Sequence, residues 1–226
     1  METQEKIMKI ETNTFYSKLN QTTVKKKNIW KILFLTTLFW GISNHIFAEK
    51  VVGSYFLSYF NKEYNIEASE IENGKFHVYI QVSGERESTN VMISIKNVDL
   101  EEFNNFLLLV KEKFIEWKNV AEQNNVKDMN KEMNFKSPKT TICWLGTKWY
   151  FSFGHRLNPN FIVFDDGRSV VSFYKKVSAS SNQYIDQKIY WVFSEPSEID
   201  ELISQLNIDT ITAKLQETDK SKDLFE

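Results

Sequence analysis

The side chains able to do acid–base chemistry are few and widely spaced. Beyond residue 48 the sequence carries two histidines, His77 and His155. His155 follows Gly154 and precedes Arg156 in a stretch that reads as a loop, where catalytic side chains concentrate. Asp165 and Asp166 could act as a general-base pair if a pocket raised one pKa by like-charge repulsion. They also open an Asp-Asp-Gly-Arg turn, which accounts for both carboxylates without catalysis. A hydrolase built on His155 with Asp165 or Asp166 is the enzyme reading, and it requires the histidine and a carboxylate to meet in one cleft. His77 lies between Phe76 and Val78 on the polar side of an alternating run and reads as strand surface. Cys143, the single cysteine, sits between Ile142 and Trp144 and reads as a buried, inert thiol.

Neither histidine has a second His, Cys or carboxylate at a spacing such as H-E-x-x-H, so no metal is expected. The sequence holds no G-x-S-x-G, no P-loop and no G-x-G-x-x-G, which removes the motif support for nucleophile-elbow hydrolases and for nucleotide cofactors. No cofactor is expected. The aromatic content, 15% Phe, Trp and Tyr, is the unusual property. Most of these rings are expected in the core or in cross-strand pairs. Tyr150 and Tyr174 are the candidate binding residues, because their strand neighbours Trp149, Phe151 and Phe173 claim the opposite face.

The elements that must position these residues follow from periodicity. Val51–Phe60 reads as a strand. Asn73-Gly74 joins two apolar arms into a hairpin, since both residues tolerate positive φ; Phe76, Val78, Ile80 and Val82 then alternate with polar neighbours. Val91–Ile95 is the next strand. Asp99 with Glu102 forms a capping-box pattern ahead of apolar residues from Leu100 to Trp117 at steps of three and four, so a helix of about 20 residues ending near Ala121 is expected. Residues 122–138 are polar and read as a linker or mobile loop. Hairpins at Gly146-Thr147 and at Asp166-Gly167, a strand over Tyr184–Phe193, and a helix after Pro196 capped by Ser197 with Asp200 complete the second half. A second short helix is expected from Asp209 to Leu215, with the remainder frayed.

The fold class expected is α+β: antiparallel sheet built from hairpins, a long helix after the first half and a shorter C-terminal one. The halves, 49–121 and 139–215, form a single domain over 49–226. They repeat a strand-cap-helix order, and a shift of 99 residues lays Ile93 on Val192 and Leu107 on Leu206, so two tandem units are one possible origin.

The compartment is read from residues 29–48, an apolar stretch behind Lys25-Lys26-Lys27. Ile32–Ile42 has the length of a signal-peptide core and is short for a membrane span. Cleavage is expected after Ala48. The residues ahead of Lys25 are many for a signal peptide; a later start, such as Met8, or an uncleaved inner-membrane anchor are the alternatives. The first 48 residues hold seven lysines and three glutamates, which leaves 21 Lys+Arg against 27 Asp+Glu beyond them, a net charge of −6. An acidic domain lacks the basic footprint of a nucleic-acid binder. The expectation is an exported domain, periplasmic or extracellular in a bacterial envelope, that binds a protein or small ligand without catalysis. Its rivals are the exported hydrolase and a membrane-anchored structural protein of the envelope.

Overall fold

A computed structural model describes residues 50–86 and 89–223. The apolar stretch at 29–48, on which the expectation of export and of cleavage after Ala48 rests, lies outside the described residues. Among the described residues no helix is long and apolar enough to cross a membrane.

The architecture is α+β, as the hairpin signals predict. The strands are β1 (Lys50–Leu57), β2 (Lys62–Ala68), β3 (His77–Gly84), β4 (Val91–Lys96), β5 (Met129–Glu132), β6 (Thr140–Leu145), β7 (Trp149–His155), β8 (Asn160–Val163), β9 (Ser169–Ala179) and β10 (Asn182–Phe193). The helices are α1 (Leu100–Gln123), α2 (Pro196–Gln205) and α3 (Ile208–Asp223). All strand pairings are antiparallel, and the ladder runs β5-β8-β9-β10-β3-β4-β6-β7, with β2 and then β1 branching from β3.

The branch has a specific construction. One edge of β3 pairs with β2 through Val78–Ile80 and with β10 through Ser83 and Gly84, so the ladder is interrupted at Gln81. A buried backbone group needs a partner wherever a ladder stops. The Tyr55 hydroxyl donates to Gln81 O at 2.6 Å, and the Gln81 side chain accepts from Asn65 N at 3.1 Å. Burial drives the Tyr55 phenol well above its ordinary pKa, which keeps it a donor. At the far end Ser180 N donates to Phe151 O at 2.8 Å, so the β9–β10 turn covers the open edge of β7.

The helices share one apolar core with the inner sheet face. Phe103 of α1 lies parallel to Trp191 at 6.4 Å, and Phe114 meets Phe161 edge-on at 6.0 Å. A smaller cluster on the opposite face joins Tyr79, Met92 and Cys143 with Trp149 and Phe151.

Four expectations need correction. Residues 122–138 are no free linker: β5 pairs with β8, and Met133 and Ser137 are fully buried. The α2 cap is Glu195 with Glu198, two residues ahead of Ser197 and Asp200, and Pro196 occupies the first turn. The last helix runs on to Asp223 rather than ending near Leu215. The second half also does not repeat the first as a unit, because β6–β7 pair onto β4 and β8–β10 form the other wing of the sheet.

Candidate ligand-binding cleft

Four turns and junctions meet around a cleft of about 790 Å³. Its walls are the β1–β2 turn, the last turns of α1, the β8–β9 turn and the junction from β10 into α2. The β1–β2 turn is tight, with Asn61 at φ 49°, and it lifts Tyr59 out to 49% exposure. Phe60 behind it points into the core, edge-on to Tyr59 at 5.1 Å. Across the cleft Phe164 lies near-parallel to Tyr59, with centroids 6.5 Å apart and an interplanar angle of 18°.

The β8–β9 turn places Phe164 because the sequence supplies a left-handed glycine where the chain reverses. Gly167 has φ 87°, its N–H donates to Phe164 O at 3.1 Å, and Phe164 N donates to Arg168 O at 2.8 Å. Asp166 accepts from Arg168 N at 2.9 Å and from Arg168 Nε at 2.6 Å. These two bonds, the backbone one first, hold the Asp166 carboxyl below its ordinary pKa. The Arg168 guanidinium in turn stands over the Phe164 ring, 5.7 Å from its centroid. On the helical wall Lys118 pairs with Glu195 at 2.7 Å, while Glu122 is exposed at the end of α1.

One buried carboxylate joins two of these walls. Glu198 is 7% exposed; its Oε1 accepts from Ser58 N at 2.8 Å, and its Oε2 accepts from Ser194 N at 2.7 Å and Glu195 N at 3.2 Å. Glu198 thus fixes the turn bearing Tyr59 against the start of α2. Only its place in the cap motif marks it in the sequence, where the capping signal points two residues further on, to Ser197 and Asp200.

The candidates read from sequence separate in space. Asp166 lines this cleft; His155 is not among the residues that line it. Asp165 is exposed beside it. His155 Nε2 lies 2.7 Å from Ser152 Oγ, and Ser152 gives its one hydroxyl proton to Ser178 O at 2.6 Å. His155 Nε2 therefore carries a proton and donates it. That orientation ties β7 to β9 and leaves Nε2 unable to take a proton from Ser152. Burial, and then the charge of Lys175, lower the His155 pKa, so the ring is neutral at pH 7.

Tyr150 and Tyr174 divide as well. Tyr174 is 52% exposed and packs on Tyr190 across the β9–β10 pair at 5.3 Å. Tyr150 faces the other way from the expectation: it stacks on Trp144 at 5.8 Å and packs against the main core, while Trp149 and Phe151 join the smaller outer cluster.

A second cleft of about 590 Å³ contains His77, which reads from sequence as plain strand surface. Its Nδ1 is 3.0 Å from Ser94 Oγ, and burial followed by the nearby Lys96 charge lowers its pKa. Asp99 makes no side-chain capping bond onto α1, contrary to the capping-box expectation, and lines this cleft with Glu102, Lys139 and Arg156. Among the described residues no three His, Cys, Asp or Glu side chains converge at metal-binding distance. No protein family, curated protein or solved structure matches the chain.

Proposed function

We propose that the chain is an exported, non-enzymatic binding domain that takes a small polar ligand in the cleft walled by Tyr59 and Phe164. The observation that carries this reading is the near-parallel Tyr59–Phe164 pair, presented by two turns far apart in sequence and set beside charges that are already paired. Ligand pockets commonly enclose about 300–1,000 Å³, and the cleft volume of about 790 Å³ falls in that range. Binding is favoured over hydrolysis because His155 does not line the cleft that Asp166 lines, and each is held by a neighbour, Asp166 by Arg168 and His155 by Ser152. Export rests on Lys25-Lys26-Lys27 and the apolar run behind them.

Two measurements test the reading. A library of small polar compounds, screened by amide chemical-shift mapping, should yield ligands that move Tyr59, Phe164 and Gly167 together, and Phe164→Ala should weaken them. Ligands that map only to other surfaces remove the cleft from consideration. Fractionation of cells with N-terminal sequencing should find the protein outside the cytoplasm and beginning after Ala48; a cytoplasmic protein would overturn export.

A further inference from the structure

The charges of the cleft point to the class of ligand. Lys118 and Arg168 face Glu122, Asp166 and Glu195, so the lining carries one net negative charge, and both cations already hold carboxylates at 2.7 and 2.6 Å. A phosphate or carboxylate ligand would have to displace those partners and meet Glu122. Paired ions, however, keep hydrogen-bonding capacity. Arg168 spends Nε on Asp166 Oδ2, and its two terminal nitrogens keep further N–H donors. Ser58 and Ser194 add hydroxyls that both donate and accept, and Glu122 adds an acceptor. Beside this polar rim stands Tyr59, half-exposed, with its ring held edge-on by Phe60 and near-parallel to Phe164.

A surface that combines an aromatic face with internally neutralised donors and acceptors matches a pyranose ring. A sugar has an apolar C–H face, which suits the negative face of an aromatic ring, and a rim of hydroxyls that need both donors and acceptors but no net charge. We propose that the Tyr59–Phe164 cleft binds a neutral saccharide, with Tyr59 as the stacking platform and Arg168, Glu122 and the two serines around the hydroxyls. The inference rests on the reading that this cleft is the ligand site.

The test uses the full chain and three probes that differ in charge: cellobiose as the neutral saccharide, glucose 6-phosphate as the anion, and choline as the cation. Amide shifts at Tyr59, Phe164 and Gly167 locate binding, and titration at low and high salt measures it. Cellobiose should move these three residues with an affinity unchanged by salt. Tyr59→Ala, in an exposed turn, should weaken it roughly tenfold, the scale of one aromatic contact. Asp166→Asn removes the carboxylate that neutralises Arg168 and should raise affinity for glucose 6-phosphate several-fold relative to cellobiose. If a charged probe binds the cleft of the wild-type protein more tightly than cellobiose, in a salt-dependent way, the neutral-saccharide class is wrong and the cleft remains the site. If no probe moves these residues while compounds from a polar library do, the saccharide class again falls alone. If nothing moves them, the cleft reading falls with it.

Discussion

Glu198 in the first turn of α2 accepts a hydrogen bond from the backbone N–H of Ser58, 2.8 Å away and 140 residues earlier in the chain. Its second oxygen holds the backbone of Ser194 and Glu195. A nearly buried carboxylate receiving backbone N–H groups makes charge-assisted bonds, which are stronger than neutral ones. Glu198→Ala should therefore cost about 2–3 kcal/mol of stability and should broaden the amide signals of the β1–β2 turn. Glu198→Gln keeps one acceptor and should fall between. By contrast Asp200→Asn, which breaks the exposed Lys111–Asp200 pair at 2.7 Å, should cost under about 1 kcal/mol. Urea denaturation of the three variants checks the order; equal losses for Glu198→Ala and Asp200→Asn would deny Glu198 its bracing role.

Met133 tests whether residues 122–138 belong to the fold. Its side chain is fully buried in the main core, and its N–H donates to Pro159 O at 2.9 Å. Truncating a buried Met costs about 2–5 kcal/mol. Met133→Ala should lower the denaturation midpoint accordingly, and limited proteolysis of the native protein should spare Met129–Ser137. A neutral substitution together with rapid cleavage there would return this stretch to the status of a tether.

Local turn chemistry was legible in the sequence, and non-local placement was not. Asn73 and Gly74 adopt φ 52° and 74°, as the hairpin signal demands, and α1 follows its three-and-four spacing almost to its last turn. Period-two alternation puts Trp149 and Phe151 on one face of β7, opposite Tyr150, and the structure agrees. It could not say which face meets the core, because both carry aromatic rings, and Tyr150 with Trp144 turned out to hold the inner side. Met133 hid in a polar stretch because one buried side chain gives no periodicity. The sequence marks Asp166 as a turn residue, and that is its local role. Its place in a cleft with Tyr59 and Glu195 depends on contacts across the sheet that no short window contains.

Gly84 marks the seam between the two wings of the sheet. It is the last residue of β3 and pairs with Ile189 of β10. A Cβ there would stand 2.7 Å from Val91 Cγ2 and 2.9 Å from Gln187 Nε2. Val91 is buried and too short to swing aside, so the strands would have to separate. Gly84→Ala should destabilise by about 1–3 kcal/mol, the usual cost of overpacking. Gly167→Ala offers a comparison in which strain arises from φ 87° in open space, with no neighbour within 4 Å. Denaturant midpoints should fall for both, and only Gly84→Ala should shift amide signals on β10. An unchanged β10 in Gly84→Ala would mean the seam has slack.

The two described histidines set a pH dependence whose sign follows from their environment. Burial lowers the pKa of both His77 and His155 below the ordinary value of 6.5, with Lys96 and Lys175 adding to the effect and Asp99 opposing it at His77. The folded state then binds fewer protons than the unfolded chain just below that value. Their contribution to stability is complete above about pH 7 and declines as pH falls through 6.5 toward the lowered folded values. The depressed carboxylates Asp166, Asp186 and Glu85 titrate below this window and do not mask it. Denaturation midpoints measured from about pH 7.5 to pH 5 should fall steadily in the wild-type protein. His155→Gln should make the fall shallower. A variant with the same pH slope as wild type would show that protonated His155 is as well accommodated in the fold as in the unfolded chain.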